Sequence, residues 1–180
     1  MALPVEHLYT IKDIYALADG ERAELIDGQM YYMSPPGTTH QIVSGKLFQI
    51  IANYIDDKKG SCRVFAAPFA VFLNRDDKTY VEPDICVICD NDKLDERGCH
   101  GAPDWIIEIV SPGSKSMDYG TKLFKYQAAD VREYWVVDPA KNRITVWSLE
   151  QNTVEDYTFS DSVKAGIYED LFVDFCRIIF

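Results

Sequence analysis

The sequence lacks several features that would place it in a specialised class of protein. Its 180 residues contain no apolar run approaching the roughly 20 residues that cross a bilayer. No internal repeat, low-complexity tract or linker is visible, and glycine and proline are spread along the chain as turn residues. We therefore expect a single domain, residues 1–180, with no membrane partner.

The sequence also shows no secretory signal and no cysteine spacing typical of a disulfide framework. Residues 1–10 contain no basic segment followed by an apolar one, so no secretory signal is expected. The five cysteines are odd in number and irregularly spaced, which argues against a set of disulfides. Both observations favour a reducing, cytoplasmic location.

Positive charge is scarce. There are 18 Lys and Arg residues against 29 Asp and Glu, which gives a formal net charge of −11. This balance argues against broad affinity for phosphate backbones, which needs cations to displace counterions. It does not exclude an enzyme acting on nucleic acid, because a divalent metal held by carboxylates reverses the local sign of the charge.

Hydrophobic residues are plentiful, at 47% of the chain, and their spacing predicts the secondary structure. Residues 40–60 carry apolar side chains at helical spacing, with Thr38 or Thr39 to cap the start of the helix and Gly60 to end it. A short helix should precede a turn at residues 26–28, and another should span about residues 117–129. Runs rich in β-branched and aromatic residues predict strands within 29–33, 62–74, 80–90, 105–112, 133–139 and 143–149, with a short strand or helical turn near residue 171. We expect an α/β (α+β) fold with a mixed central sheet flanked by helices.

Glu108 is the position that departs most clearly from its surroundings. It lies inside the apolar run 105–110, which should form a strand buried on both faces. A buried carboxylate is costly unless it is paired or bound to a metal. The alternative is a strand at the edge of the sheet, with Glu108 facing solvent.

Asp84 is a second anomaly. It follows Pro83 at the start of another apolar strand, where proline is tolerated. Two carboxylates on neighbouring strands, Asp84 and Glu108, can share a hard cation such as Mg²⁺. Taken alone, Asp84 fits equally well as a turn or cap residue.

These two acids resemble the PD-(D/E)xK nuclease superfamily, in which a Pro-Asp pair and an acid on the next strand form the site. The chain more narrowly resembles the Uma family, whose members are described as restriction endonucleases. The matching segments are 23–35, 82–88 and the long block 103–139, together with His40 at the start of the long helix. The resemblance implies a restriction-endonuclease-like core and a nuclease function.

The sequence departs from the superfamily pattern at Val110, where the general motif has lysine. The resemblance implies that the lysine has moved to the next helix, as Lys122, with Lys125 as a substitute. It also implies that Glu24, expected on the first helix, is an auxiliary metal ligand. The alternative for all three is a solvated helix surface.

The resemblance also implies the chemistry. Asp84 and Glu108, with the Ile109 carbonyl, would hold Mg²⁺ or Mn²⁺ and so activate water for attack on a phosphodiester. Lys122 would orient the water or stabilise the developing charge. His40 is an auxiliary candidate against a structural histidine, and Lys115 a candidate phosphate contact against a surface lysine.

A zinc site is an alternative interpretation, because four potential zinc ligands lie close together in sequence: Cys86, Cys89, Cys99 and His100. Residues three apart on a strand point to opposite faces, so Cys86 and Cys89 should diverge. We therefore interpret these cysteines as small core residues, with Cys99 exposed.

The sequence predicts a metal-dependent endonuclease acting on DNA, and the family resemblance implies a homodimer, in which two sites could address two strands. One alternative is a catalytically inert nuclease-fold binding module within a larger assembly, which the net charge and Val110 favour. Another is a metal-dependent hydrolase with a different substrate, which the fold alone does not exclude. RNA also stays open as a substrate.

Overall fold

The computed structural model describes residues 7–178, so the first six residues of the stretch expected to lack a secretory signal lie outside it. Within the described residues, the helices are α1 (Ile11–Tyr15), α2 (Thr38–Asp57) and α3 (Lys122–Ala128), with a π-helical turn at Met117–Thr121. The strands are β1 (Ala23–Ile26), β2 (Gln29–Tyr32), β3 (Arg63–Ala66), β4 (Val71–Phe72), β5 (Ile85–Ile88), β6 (Leu94–Asp95), β7 (Gly98–His100), β8 (Trp105–Ile109), β9 (Glu133–Asp138), β10 (Arg143–Ser148), β11 (Thr153–Tyr157), β12 (Ser162–Lys164) and β13 (Phe172–Asp174).

A six-stranded mixed sheet forms the centre, in the order β11-β10-β9-β8-β5-β3. Its β8–β9 pair is parallel, and its other neighbouring pairs are antiparallel. Parallel neighbours require a crossover connection, and here residues 110–132 supply it, with the π-helical turn and α3. The predicted fold class, a mixed sheet flanked by helices, is confirmed.

One face of the sheet packs against α2 and the C-terminal segment. Side chains alternate along strands, so Ile107 and Trp135 point to this face. They join a buried cluster with Leu47 and Ile51 of α2 and with Phe175. Apart from Glu133, whose buried carboxylate accepts from the Trp135 indole N–H and the Ile167 backbone N–H, this layer is apolar. The apolar packing matches the apolar spacing that predicts α2.

The opposite face packs against α3 and the small sheet β4-β7-β6. Ile106 and Tyr134 point to this side and pack with Tyr126 of α3. Glu108 is in phase with Ile106, so its carboxylate lies beneath the crossover helix. In the small sheet, Gly98 has φ +141°, and a Cβ there would approach the Ala70 carbonyl oxygen to 2.2 Å.

Several predictions about local structure are wrong. The helix α1 ends at Tyr15 and Glu24 lies on β1, because its neighbours along the chain are buried in an antiparallel pair with β2. The residue at the N-terminal cap of α2 is Gly37 rather than a threonine, and the helix ends at Asp57, before Gly60.

The cysteines also differ from expectation. Cys62 and Cys89 form a disulfide, since the end of β5 lies beside the start of β3. Cys99 is buried rather than exposed. Cys86 is buried on the α3 face, as predicted. With a disulfide present, cysteine usage gives no support to a reducing compartment.

Candidate active site

The sheet brings Asp84 and Glu108 opposite each other. Ile85 pairs with Ile107 in the antiparallel β5–β8 register, so the preceding and following residues, Asp84 and Glu108, face one another at the same end. The Ile109 backbone N–H donates to Asp84 Oδ2 at 2.7 Å, which fixes the aspartate against β8. The predicted pairing of these two strands is therefore observed.

Glu108 is 4% exposed, and the crossover helix supplies its partners. The Lys122 Nζ and the Tyr126 hydroxyl both donate to Glu108 Oε1, at 2.9 and 2.8 Å. Positions 122 and 126 are one turn apart on α3 and so share a face. The edge-strand alternative for Glu108 is thereby excluded, because β8 lies between β5 and β9.

Glu24 reaches the same cluster from β1. Its carboxylate lies 2.9 Å from the Lys122 Nζ, and its Oε1 also accepts the Glu82 backbone N–H at 3.0 Å. The alternative of a surface helix residue is wrong, because Glu24 is 5% exposed and on a strand. Lys122 is thus held between Glu24 and Glu108.

Asp118 is a member of this cluster that the sequence analysis missed. Its Oδ1 lies 3.9 Å from the Lys122 Nζ, and its Oδ2 accepts the Ser114 hydroxyl at 2.5 Å. The Tyr134 hydroxyl donates to the Asp118 carbonyl and so ties the π-helical turn to β9. The four-residue spacing from Asp118 to Lys122 was the available signal. Tyr126, four residues further on, was missed in the same way.

His40, near the start of α2, contacts the cluster through Asp84. Its Nε2 is 3.0 Å from Asp84 Oδ2, and both side chains are partly buried. Burial alone would lower the pKa of His40, but the hydrogen bond to Asp84 and its charge outweigh this effect, so the pKa is raised.

The electrostatics of the cluster depend on one buried cation. Burial raises the pKa of Glu108 well above its usual range, while the charge of Lys122 opposes the rise. Burial likewise raises the pKa of Asp118 to about 6, again against Lys122. The pKa of Lys122 is raised despite its burial, because Glu108 and Glu24 favour its charged form.

The two other predicted lysines lie elsewhere. Lys125 forms an ion pair with Asp27, with Nζ 2.5 Å from Oδ2, and does not join the Glu108 cluster. Lys115 lies in the loop after β8, beside Ser116 and Tyr119. Lys122 is therefore the lysine that the fold brings to the acids.

Carboxylate oxygens of Asp84 and Glu108 are the kind of donor that Mg²⁺ prefers. Across residues 7–178, no three His, Cys, Asp or Glu side chains are grouped so as to hold a metal ion. Both oxygens of Glu24 contact Lys122, so Glu24 serves there as a partner of the lysine.

The family model Uma2, described as "Putative restriction endonuclease", matches residues 8–175. A crystal structure described as "a putative nuclease belonging to DUF820" from Anabaena variabilis superposes with a TM-score of 0.77 at 18% identity, covering 94% of this chain and 96% of that one. A curated Synechocystis sp. protein, "Uncharacterized protein slr1290", is 26% identical over 106 residues, which are 59% of this chain and 54% of that protein. The chain thus spans about half the length of that curated relative. No helix within residues 7–178 is long and apolar enough to cross a membrane.

Proposed function

The chain belongs to the Uma2 family, and from this premise we propose that it is a metal-dependent endonuclease acting on DNA. The observation that carries the proposal is Glu108. This carboxylate is buried at the centre of the sheet, faces Asp84 on one side and accepts from Lys122 on the other. Burying a carboxylate costs free energy of folding, and buried carboxylates with strongly perturbed pKa values cluster at functional sites.

Asp84 and Glu108, with the Ile109 carbonyl, would hold Mg²⁺ or Mn²⁺. The cation, when bound, lowers the pKa of its water and polarises the phosphoryl oxygen. Glu24 would act on the cation through Lys122 rather than as a direct ligand, given its contacts. The expected ligand set of Asp84, Glu108 and Glu24 is thus reduced to Asp84 and Glu108, while Glu24 binds Lys122.

Lys122 has two tasks in this proposal. Its Nζ opposes the rise in the pKa of Glu108 that burial causes, and so favours the ionised form of this carboxylate. The same ammonium group would orient the attacking water or offset negative charge on the phosphoryl oxygens. Tyr126 is a positioning residue, because its hydroxyl holds Glu108 Oε1 on the lysine side.

His40 is also proposed as a positioning residue. Its Nε2 contacts Asp84 Oδ2, the same oxygen that accepts the Ile109 N–H. Because both contacts are made by Oδ2, the other carboxylate oxygen of Asp84, Oδ1, is left for a cation. His40 would thereby fix which oxygen of Asp84 is offered to a cation.

The proposal includes a homodimer, in which two sites would address the two strands of a duplex. The net charge of −11 means that the DNA contacts must come from a few local cations. The alternative is a catalytically inert binding module. It is favoured by Val110 and by the contacts of Lys122 with both Glu24 and Glu108, which limit the freedom of the amine.

The test is cleavage of a mixed DNA panel in Mg²⁺ or Mn²⁺, with RNA in parallel, by the wild type, Glu108→Gln and Glu96→Gln. Glu96 is an exposed turn residue and serves as the matched control. We expect cleavage by the wild type and Glu96→Gln, its loss in EDTA, and a fall of at least about 100-fold in Glu108→Gln. Equal cleavage by Glu108→Gln would identify a contaminant. No cleavage by any of them, with DNA binding retained, would favour the binding module.

A further inference from the structure

A pocket with a cationic lining lies in the loop that follows β8. It has a volume of about 570 Å³ and is lined by small residues of the loop, one tyrosine and two cations: Pro112, Gly113, Lys115, Ser116, Tyr119 and Arg143. Neither Glu108 nor Asp84 lines it. In a chain with a net charge of −11, a cavity lined by cations without a carboxylate is an unusual local environment.

The positive charge in this place is poorly neutralised. Within residues 7–178, no carboxylate lies within 4.0 Å of the amino groups of Lys115 and Lys141. Lys141 does not line the pocket, but the like charge of the neighbouring Lys115 lowers the pKa of Lys141. Two amines held together in this way would gain from an anion between them.

Arg143 adds a third cation with unmet hydrogen-bonding capacity. Its guanidinium group lies 5.1 Å from the centre of the Tyr119 ring. The Arg143 Nε and the Tyr119 hydroxyl are both buried, and neither has a hydrogen-bond partner of good geometry among the described residues. The Tyr119 hydroxyl is nevertheless close enough to the guanidinium group to raise the pKa of Arg143. The nearest carboxylate oxygen, Asp156 Oδ1, is 3.9 Å from that Nε and accepts the Thr145 hydroxyl instead, at 2.5 Å.

The same loop is bonded to the acid cluster. Ser114, next to Lys115, donates to Asp118, and Asp118 lies beside Lys122. The pocket therefore lies on the loop that begins directly after β8, the strand that carries Glu108. An anion in the pocket would be held close in the chain to the residues proposed to carry out hydrolysis.

We infer that this pocket binds a phosphate of a polynucleotide backbone, flanking the phosphate that is cut, an inference that rests on the proposed function. Arg143 supplies a planar fork of donors, and Lys115 and Lys141 supply point charges. Gly113 and Ser116 leave room for phosphate oxygens to approach the loop. Charges on phosphates position a strand without reading its sequence, so the pocket sets register rather than specificity.

The experiment measures binding of a short fluorescein-labelled DNA duplex by anisotropy over a range of salt, in EDTA so that cleavage is withheld. The variants are Lys115→Gln, Lys141→Gln and Arg143→Gln, with Arg143→Lys to retain charge and Lys164→Gln as the matched control on β12. Each charge removal in the pocket should weaken binding and reduce the slope of log K against log salt by about 1. Arg143→Lys should keep the slope, and Lys164→Gln should match the wild type in both measurements.

The outcomes separate this inference from the proposed function. If the wild type binds and cuts DNA while the pocket variants match Lys164→Gln, the pocket assignment is wrong and the nuclease stands. If the pocket variants reduce the slope of log K against log salt but the wild type cuts no DNA in Mg²⁺ or Mn²⁺, the phosphate assignment of the pocket is supported and the proposed nuclease activity is wrong. Inorganic phosphate is used as a further probe, with the melting temperature as the readout. If phosphate raises the melting temperature of the wild type but not of Arg143→Gln, and the salt slope of DNA binding is the same in both, the pocket binds free phosphate. That result would overturn the polynucleotide assignment.

Discussion

Lys122→Met tests whether one buried cation allows the acid cluster to exist. Lys122 is 5% exposed, and its Nζ lies 2.9 Å from both Glu108 and Glu24. Methionine keeps the length and the apolar stem of the side chain, so packing changes little. The substitution leaves two buried carboxylates facing each other without a counter-charge.

Removing one partner of a buried ion pair costs about 3–5 kcal/mol, and we expect a loss of that size in the free energy of unfolding at neutral pH. Without Lys122, the folded-state pKa values of Glu108 and Asp118 rise further above their unfolded values. A carboxyl group with a raised folded pKa contributes stability below its unfolded pKa and loses it as pH rises through the folded pKa. The deficit of the variant should therefore shrink as pH falls, and the change should begin above the pKa of about 6 that Asp118 has with Lys122 present.

The assay is urea unfolding followed by tryptophan fluorescence, since Trp105 and Trp135 are fully buried in the core. The matched control is Lys125→Met, one turn further along α3, whose ion pair with Asp27 is largely exposed and should contribute less than about 1 kcal/mol. A loss in Lys122→Met no larger than in Lys125→Met would refute the reasoning. So would a loss that does not change with pH.

Three further predictions concern stability. Tyr126→Phe removes a donor to the buried glutamate and should cost about 1–2 kcal/mol in urea unfolding. Reduction of the disulfide between Cys62 and Cys89, 27 residues apart, should lower the free energy of unfolding by about 3–4 kcal/mol, measured with and without reductant, and an unchanged urea midpoint would contradict it. Gly98→Ala should cost about 3 kcal/mol or more and lower the melting temperature, because its Cβ would meet a backbone carbonyl. Gly45→Ala, on α2 with open space around it, is its control and should be neutral or stabilising.

The parts of the fold that were predictable from sequence are those with a strong local pattern. The apolar spacing of α2 and the β-branched runs of β5, β8, β9 and β10 identify those elements correctly. The two-residue strand β6 was missed because so few residues set no period. The strand β11 was missed because it is largely exposed and carries no apolar alternation. The disulfide depends on the β3–β5 register, which no local pattern reveals.

For the site, sequence reasoning was limited to single positions. Glu108 stands out because an apolar strand has no inexpensive place for a charge. Glu24 does not stand out locally, since Ala23–Ile26 is too short to distinguish a buried strand from the end of a helix. Asp118 and Tyr126 look like ordinary helix residues, and only the docking of α3 on the sheet makes them partners of the buried acids.

The parallel β8–β9 pair has a consequence for the order in which the site is completed during synthesis of the chain. The acids lie at positions 24, 84 and 108, but the lysine that makes their burial tolerable lies on the crossover, and β9 anchors that crossover through Tyr134. A nascent chain that has not yet released residues 133–138 contains every proposed metal ligand and lacks the strand that holds Lys122 in place. The cluster is therefore completed only after β9 has left the ribosome.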